Sequence, residues 1–271
     1  MTHPPSISLV TPSYNQGVYL EETIRSVVEQ GYPDLEYIVM DGGSTDNSPA
    51  IIKRHADSIA YWVSEPDNGQ ADAINRGLER STGEVMGWLN SDDRLMPGAL
   101  SLVGLIFAAY PSVMWITGRS AIMDAHGRLA AIGPRRGFFR RAIRNGRYHN
   151  RGFGFIQQEG TFWRRALWEK AGGLDPKRYY TADFELWQRF AAHADLVMVQ
   201  SILAMFRQHD QQKSADQSGY YAEIGVSGPA VSQRMRRWVL HPIAARFAPQ
   251  IVYESGRWQF KPGRYFRPGL G

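Results

Sequence analysis

Short apolar runs alternate with amphipathic stretches through the first third of the chain. Ile7-Ser8-Leu9-Val10 reads as a strand, and the polar turn Thr11-Pro12-Ser13-Tyr14-Asn15 separates it from a helix whose single apolar stripe is Leu20, Ile24, Val27 and Val28. Gly31 and Pro33 stop that helix, and Leu35 to Met40 form a second strand that runs into Asp41-Gly42-Gly43-Ser44-Thr45-Asp46. The pattern then repeats. A helix around Ala50 to His55 precedes a strand around Ala60 to Ser64, the turn Glu65-Pro66-Asp67-Asn68-Gly69-Gln70 and a helix Ala71 to Arg80 with Ala71, Ile74 and Leu78 inward. Consecutive strands joined by helices imply parallel pairing and right-handed crossovers, so the fold class is α/β and the turns after the strands share one sheet edge.

The next strand, within Gly83 to Leu89, ends in Asn90-Ser91-Asp92-Asp93, with Pro97 before a further helix. Four strand ends thus deliver Tyr14, Asp41, Asp67 and Asp92-Asp93 to one rim, the place where open α/β sheets bind ligands. Two adjacent carboxylates there offer hard oxygen ligands to Mg²⁺ or Mn²⁺, ions commonly shared with a substrate phosphate. The alternative is a solvated turn, and for Asp46 and Asn68 a capping or turn role is the preferred reading. No Gly-x-Gly-x-x-Gly fingerprint follows the first strand, which argues against a dinucleotide-binding domain. Leu95 to Gly118 lacks charge over a length that spans a bilayer, but Pro97, Gly98, Gly104 and Pro111 interrupt it, so a buried helix followed by a strand is expected.

The 271 residues, 43% of them hydrophobic, suffice for one large core. The net charge of +5 is uneven, with seven Arg between Arg135 and Arg151 and more near the C-terminus. This sign suits an anionic partner: nucleic acid, a phospholipid surface or a phosphorylated small molecule. Cysteine is absent, which excludes disulfides and thiolate metal sites. The start Met1-Thr2-His3-Pro4-Pro5 has neither a basic nor an apolar signal region, so a cytoplasmic location is expected.

Taken together, Val10-Thr11-Pro12-Ser13-Tyr14-Asn15, Met40-Asp41-Gly42-Gly43-Ser44-Thr45-Asp46, Ser64-Glu65-Pro66-Asp67-Asn68-Gly69 and Leu89-Asn90-Ser91-Asp92-Asp93 resemble the ordered motifs of family 2 glycosyltransferases with the GT-A fold. The resemblance continues through Gln158-Glu159-Gly160-Thr161-Phe162-Trp163-Arg164-Arg165, Gly172-Gly173-Leu174-Asp175 and Asp183-Phe184-Glu185-Leu186-Trp187 to Arg207-Gln208-His209 and Ser214, roughly four-fifths of the chain. It implies a mostly parallel twisted sheet flanked by helices, a nucleoside-diphosphate sugar donor, a divalent metal (Mn²⁺ or Mg²⁺) and inversion at the anomeric carbon. By the same resemblance Thr11, Pro12, Tyr14, Asp41, Asp67, Asn90 and Asp92 bind the nucleotide sugar, Tyr14 covering the base and Asp41 bonding to it. Uracil is the preferred base. Asp93 is the expected metal ligand, with Asp92 and His209 as further candidates. Asn90 departs from relatives that carry a first Asp, leaving two carboxylates rather than three.

Attack by an acceptor hydroxyl needs a base, because an alcohol is a poor nucleophile at neutral pH. Asp183, ahead of a helix Phe184 to His193, matches the family's base, with an N-cap as the structural alternative and Glu185 as the next candidate. The segment Arg135 to Arg151, with Phe138, Phe139 and Tyr148 among its arginines, reads as a basic loop or helix: a solvated element, a flap over the diphosphate, or a contact to a lipid phosphate. Trp163, Trp168 and Trp187 suit either sugar stacking or the core. The expected division is a glycosyltransferase domain over 1–224, with halves 1–118 and 119–224, and a basic aromatic extension over 225–271. In that extension Arg234, Arg236, Arg237, Trp238, Val239, Leu240, Ile243, Phe247, Trp258, Phe260, Tyr265 and Phe266 suit either an anionic membrane or docking on the domain itself. The leading expectation is an inverting, metal-assisted transferase with a saccharide or lipid-linked acceptor. The rival is a domain of this type that binds nucleotide or partner without turnover. Nucleic acid is not expected as a partner, since no recognisable module supports it.

Overall fold

The computed structural model describes residues 3–210, 212–226, 230–264 and 266. The strands are β1 (Ile7–Ser13), β2 (Leu35–Asp41), β3 (Tyr61–Ser64), β4 (Val85–Trp88), β5 (Arg94–Leu95), β6 (Trp115–Thr117), β7 (Ala121–Met123), β8 (Leu129–Ile132), β9 (Thr161–Arg164), β10 (Leu196–Val199), β11 (Ala204–Arg207), β12 (Gln250–Glu254) and β13 (Arg257–Lys261). The helices used below are α1 (Leu20–Val28), α2 (Ser48–Arg54), α3 (Gln70–Arg80), α4 (Ala99–Ala109), α5 (Arg140–Arg144), α6 (Arg165–Ala171), α7 (Ala182–His193) and α8 (Gln217–Ile224).

The main sheet runs β13-β12-β10-β6-β9-β4-β1-β2-β3. As the alternation of helices and strands requires, β1 pairs parallel with both β2 and β4, and β2 pairs parallel with β3. Only β9 and β13 run against the rest. Successive residues point to opposite faces, and this sorts the core. Ile7, Leu9, Tyr37 and Val39 pack on one side with α1, α2 and α4, whereas Val10, Ile38 and Met40 pack on the other with α3 and α7. On that second side Trp88, Trp115, Trp163, Trp187 and Phe190 stack and cross at ring separations of 5.4–5.9 Å, so Trp163 and Trp187 serve the core rather than an exposed sugar platform. Trp168, stacked on Trp163 at 5.9 Å, belongs to the same cluster.

The uncharged stretch after Leu95 divides as expected into α4 and β6 across Pro111. At 11 residues α4 rises about 16 Å, half a bilayer core, and no helix among the described residues is long and apolar enough to cross a membrane. A smaller sheet, β5-β11-β7-β8, folds over the end of β4.

The basic segment is held to the body rather than free. Phe138, Ile143 and Tyr148 are buried, and Arg140 donates to the carbonyls of Ala191 (2.7 Å) and Ala192 (2.6 Å) in the last turn of α7, where unpaired carbonyls favour a cation. Arg141, Arg144 and Arg147 stay exposed.

The chain beyond residue 225 rejoins the main sheet. Strand β12 pairs parallel with β10, β13 folds back on it, and the Tyr110 hydroxyl donates to the Trp258 carbonyl (3.1 Å) while accepting from the Phe260 amide (3.2 Å). Trp258, Phe260 and Phe266 pack on the core, so this part of the tail docks on its own domain. Tyr265 and the side chains of Arg237 and Trp238 lie outside the described residues.

Candidate active site

The first wall of the site is made by the loops after β1 and β2. Asp41, the last residue of β2, is buried and accepts from the Ser44 hydroxyl (2.5 Å), the Ser44 amide (3.0 Å) and the Ser64 hydroxyl (2.7 Å). A carboxylate has about four acceptor positions, so three internal bonds leave one free. Asn15, at φ 52°, folds the neighbouring loop back: its amide donates to the Ser44 hydroxyl (2.8 Å) and its side-chain oxygen accepts from the Thr45 amide (2.9 Å). Asp46 accepts from the amides of Gly17 and Ser48, the turn role expected of it. Tyr14 is left on the rim with 62% of its surface exposed. Thr11 and Pro12 are buried near the end of β1, just before Tyr14, with the Thr11 hydroxyl accepting from the Tyr37 hydroxyl (3.0 Å). Asp67 leans over Gly42, where a Cβ would stand 2.8 Å from its carboxylate, and accepts from the Gly69 amide (2.7 Å). Any larger residue at 42 displaces Asp67.

The floor is the turn after β4. Asp92 and Asp93 diverge there. Asp93 is fully buried, with one carboxylate oxygen accepting from the Arg207 amide (2.8 Å) and the other 3.4 Å from the Asn90 amide nitrogen. Burial, then the charges of Asp92 and Glu159, hold its pKa well above the ordinary carboxylate value, against the opposing pull of Arg207. Asp92 keeps its side chain 18% exposed, and its carboxylate lies 3.0 Å from Nε2 of His209. The bond strand β11 makes to this turn comes from Arg207, itself buried, which donates to the Asp92 carbonyl (2.6 Å), pairs with Glu22 (2.5 Å) and lies over the Tyr19 ring. Asn90 accepts from Gln70 (2.8 Å), and an Asp in its place would add a further charge beside buried Asp93.

The remaining candidate residues lie at the start of α7. Asp183 stands in its first turn while Thr181 takes the N-cap position, which removes the N-cap reading of Asp183. Its carboxylate accepts from the Phe184 amide (2.7 Å), and burial pushes its pKa up to about 6. Glu185 accepts from Arg189 at two positions (2.7 and 2.6 Å), which commits it to the helix, whereas no ion pair engages the Asp183 carboxylate among the described residues. Lys213 interacts favourably with Asp183 and Glu223 and donates to the Gln70 side chain (3.2 Å) at the start of α3, the residue that bonds Asn90.

Among the described residues no group of three or more His, Asp or Glu is arranged to hold a metal ion. The pair Asp92 and His209 supplies one carboxylate and one imidazole, donors that suit Mn²⁺, with a donor diphosphate able to complete the shell. Two residues without an assigned role in the sequence enter the site. Glu159 was inside a recognised motif, and the signal was an acid in the otherwise uncharged run from Gly152 to Trp163. Arg207 gave no such signal, because burial of a cation is set by tertiary packing.

The description Glycosyl transferase family 2 matches residues 8–167. A glycosyltransferase of Mycobacterium tuberculosis, itself described as uncharacterised, is 30% identical over 212 residues, covering 76% of each chain. The GalNAc(5)-diNAcBac-PP-undecaprenol beta-1,3-glucosyltransferase of Campylobacter jejuni is 35% identical over 101 residues, 36% of this chain and 33% of that one. Among solved structures, S. aureus TarS 1-349 in complex with UDP-GlcNAc superposes with a TM-score of 0.59 at 16% identity over 78% of this chain, which spans 61% of that one. The mannosyltransferase PcManGT of Pyrobaculum calidifontis, in complex with GDP-Man and Mn²⁺, gives 0.59 at 21% identity over 90% of this chain and 70% of that one. With the matched segment running from β1 through the Asp92-Asp93 turn into α6, the chain belongs to glycosyl transferase family 2.

Proposed function

We propose that this protein moves a sugar from a nucleoside-diphosphate donor to a hydroxyl of a saccharide or lipid-linked acceptor, with inversion. The observation that carries the reading is that an exposed Tyr14, a buried Asp41 with acceptor capacity to spare and the Asp92–His209 pair stand at the ends of neighbouring parallel strands, with Asp183, its pKa raised, at the start of α7. Tyr14 covers the base and Asp41 accepts from a ring N–H, with uracil as the preferred base. Asp67 supports the same loop. Asp183 takes the proton from the acceptor hydroxyl as its oxygen bonds to the anomeric carbon and the bond from that carbon to the phosphate oxygen breaks on the opposite face. A pKa of about 6 leaves it mostly ionised at neutral pH, yet basic enough to accept a proton. A divalent ion held by Asp92 and His209 would neutralise charge on the leaving diphosphate. This revises the metal ligand from Asp93 to Asp92, because the Asp93 carboxylate is enclosed and bonded to the protein's own backbone.

A thermal-shift screen of nucleotides and nucleotide sugars, with and without Mn²⁺, tests the reading, since ligands that bind the folded state raise its stability. Uridine diphosphate should stabilise most, and Asp41→Ala should weaken it by about 1–3 kcal/mol, the cost of leaving a buried partner unpaired. Guanosine diphosphate binding tightest, with Asp41→Ala indifferent, would refute the base assignment.

The acceptor side of the proposal extends to a membrane face. The helical run Gln233–Met235, Arg236–Leu240 and His241–Phe247 buries Ala244 but exposes Met235, Val239 and Ile243 with Arg234 and Arg246 beside them, a pattern suited to an anionic lipid surface. Replacing Met235, Val239 and Ile243 together by Ser should release the protein from acidic liposomes while sparing nucleotide binding. Unchanged liposome binding counts against the membrane contact alone.

A further inference from the structure

Lys213 takes no part in the chemistry above, yet its ammonium is held in place. It opens a short turn, Lys213–Ala215, that follows β11 and His209 and precedes α8. The backbone on both sides is fixed. The His209 amide donates to the Gln212 side chain (2.9 Å), which donates in turn to the Ser214 hydroxyl (2.6 Å). Asp216 caps α8 through the Gly219 amide (3.0 Å) while accepting from the Tyr180 hydroxyl (2.6 Å). From this turn Nζ of Lys213 donates to the Gln70 side-chain oxygen (3.2 Å) and lies 4.1 Å from the centre of the Tyr179 ring. Gln70 donates to Asn90 (2.8 Å), so the ammonium stands two hydrogen bonds from the turn that carries Asp92. Both contacts are with neutral groups, and no ion pair engages Lys213 among the described residues. A half-buried ammonium with neutral partners keeps donors for an anion, since a lysine has three.

The charge at the turn after β4 indicates which anion. Asp93 is enclosed and Asn90 carries no charge, which leaves Asp92 and His209 to hold a divalent ion. Such an ion, offset by the Asp92 carboxylate, falls short of the charge on a departing nucleoside diphosphate, so a further cation stabilises it. The flexible four-carbon stem of Lys213 lets Nζ swing from the Gln70 oxygen toward that turn. We propose that Lys213 binds the distal phosphate of the donor's diphosphate and supplies a share of nucleotide recognition that needs no metal. The inference rests on the transfer reaction proposed above and adds a second cation to its leaving group. Asp183 and Glu223 act favourably on the same ammonium, and a Lys213 that served only to hold the base ionised would leave nucleotide binding untouched.

The test is calorimetry of wild type, Lys213→Met and Lys213→Arg, in a metal chelator and again with Mn²⁺, using the mono- and diphosphates of uridine, thymidine, guanosine and adenosine. For the nucleoside that wild type binds best, the diphosphate should bind about tenfold tighter than the monophosphate in chelator, the gain expected of one charge-assisted hydrogen bond. Lys213→Met keeps the apolar stem and should reduce that preference to about twofold or less, while its monophosphate affinity stays within about twofold of wild type and shows that the protein is folded. Lys213→Arg should hold the preference within about threefold of wild type, and Mn²⁺ should still strengthen diphosphate binding in both variants. A wild type without preference for the diphosphate in chelator overturns the inference, as does equal loss of mono- and diphosphate in Lys213→Met, or a Lys213→Arg protein as weak as the Met variant. So does an unchanged preference in a Lys213→Met protein whose turnover alone falls, the result expected of a partner to Asp183. Failure of wild type to bind any nucleoside diphosphate even with Mn²⁺ instead overturns the transfer reading itself.

Discussion

Replacing Asp183 by Asn should leave donor affinity intact and lower turnover by about a hundredfold or more, the usual cost of removing a general base. The side chain keeps its size and its place in the first turn of α7, and it still accepts from the Phe184 amide, so the loss reports proton transfer rather than folding. The pH profile carries the sharper signature. Burial raises Asp183 to about 6, and only the ionised form accepts a proton, so wild-type turnover should climb as pH rises through about 6. The Asn variant should lack that limb. The same shift acts on stability in the opposite direction. With the folded pKa above that of the unfolded chain, the stabilising proton uptake is complete below pH 4 and is lost as pH rises through about 6, a loss the Asn variant avoids. Unchanged turnover at saturating acceptor would remove Asp183 from the base role. Glu185→Gln serves as the control, since it breaks a clamp to Arg189 and should alter stability without moving the acidic limb.

Asp92→Ala should abolish the enhancement of nucleoside-diphosphate binding by Mn²⁺ and reduce turnover by about two orders of magnitude or more, as expected when a group that neutralises transition-state charge is removed. His209→Ala should reproduce the loss of metal enhancement, because the two side chains meet at 3.0 Å and neither is replaced by another donor at that edge. Asp93→Asn behaves differently in this account. Its carboxyl is enclosed and bonded to the Arg207 amide, so the metal enhancement should survive and the change should appear in the melting temperature. Metal enhancement lost in Asp93→Asn but kept in Asp92→Ala would return the ligand role to Asp93.

The difference between these two aspartates also marks where the sequence ceases to be informative. The alternation of apolar runs and helix stripes was enough for the β1-to-β4 order, because parallel pairing and crossover handedness leave few alternatives, and it brought Tyr14, Asp41, Asp67 and the Asp pair to one edge. Which of two adjacent carboxylates turns outward depends on β11, more than a hundred residues away, whose Arg207 amide captures Asp93 and whose guanidinium holds the Asp92 carbonyl. No local pattern contains that information. Glu185 was a credible base until Arg189, one helical turn on, was seen to occupy it. The tail was ambiguous for a similar reason. Alternating aromatic and basic residues suit a membrane as well as a sheet edge, and it is the pairing of β12 with β10 and the Tyr110 bonds to β13 that tie its end to the core.

Metal-assisted binding of a nucleoside diphosphate is read by calorimetric titration of the 271-residue chain with uridine, thymidine, guanosine and adenosine diphosphates, each with and without Mn²⁺, on wild type and Asp92→Ala. Wild type should bind a nucleoside diphosphate, uridine diphosphate most tightly, Mn²⁺ should strengthen the binding, and Asp92→Ala should bind the same nucleotide with no response to the metal. A folded wild-type protein that binds none of the four in the presence of Mn²⁺ would contradict the proposed function.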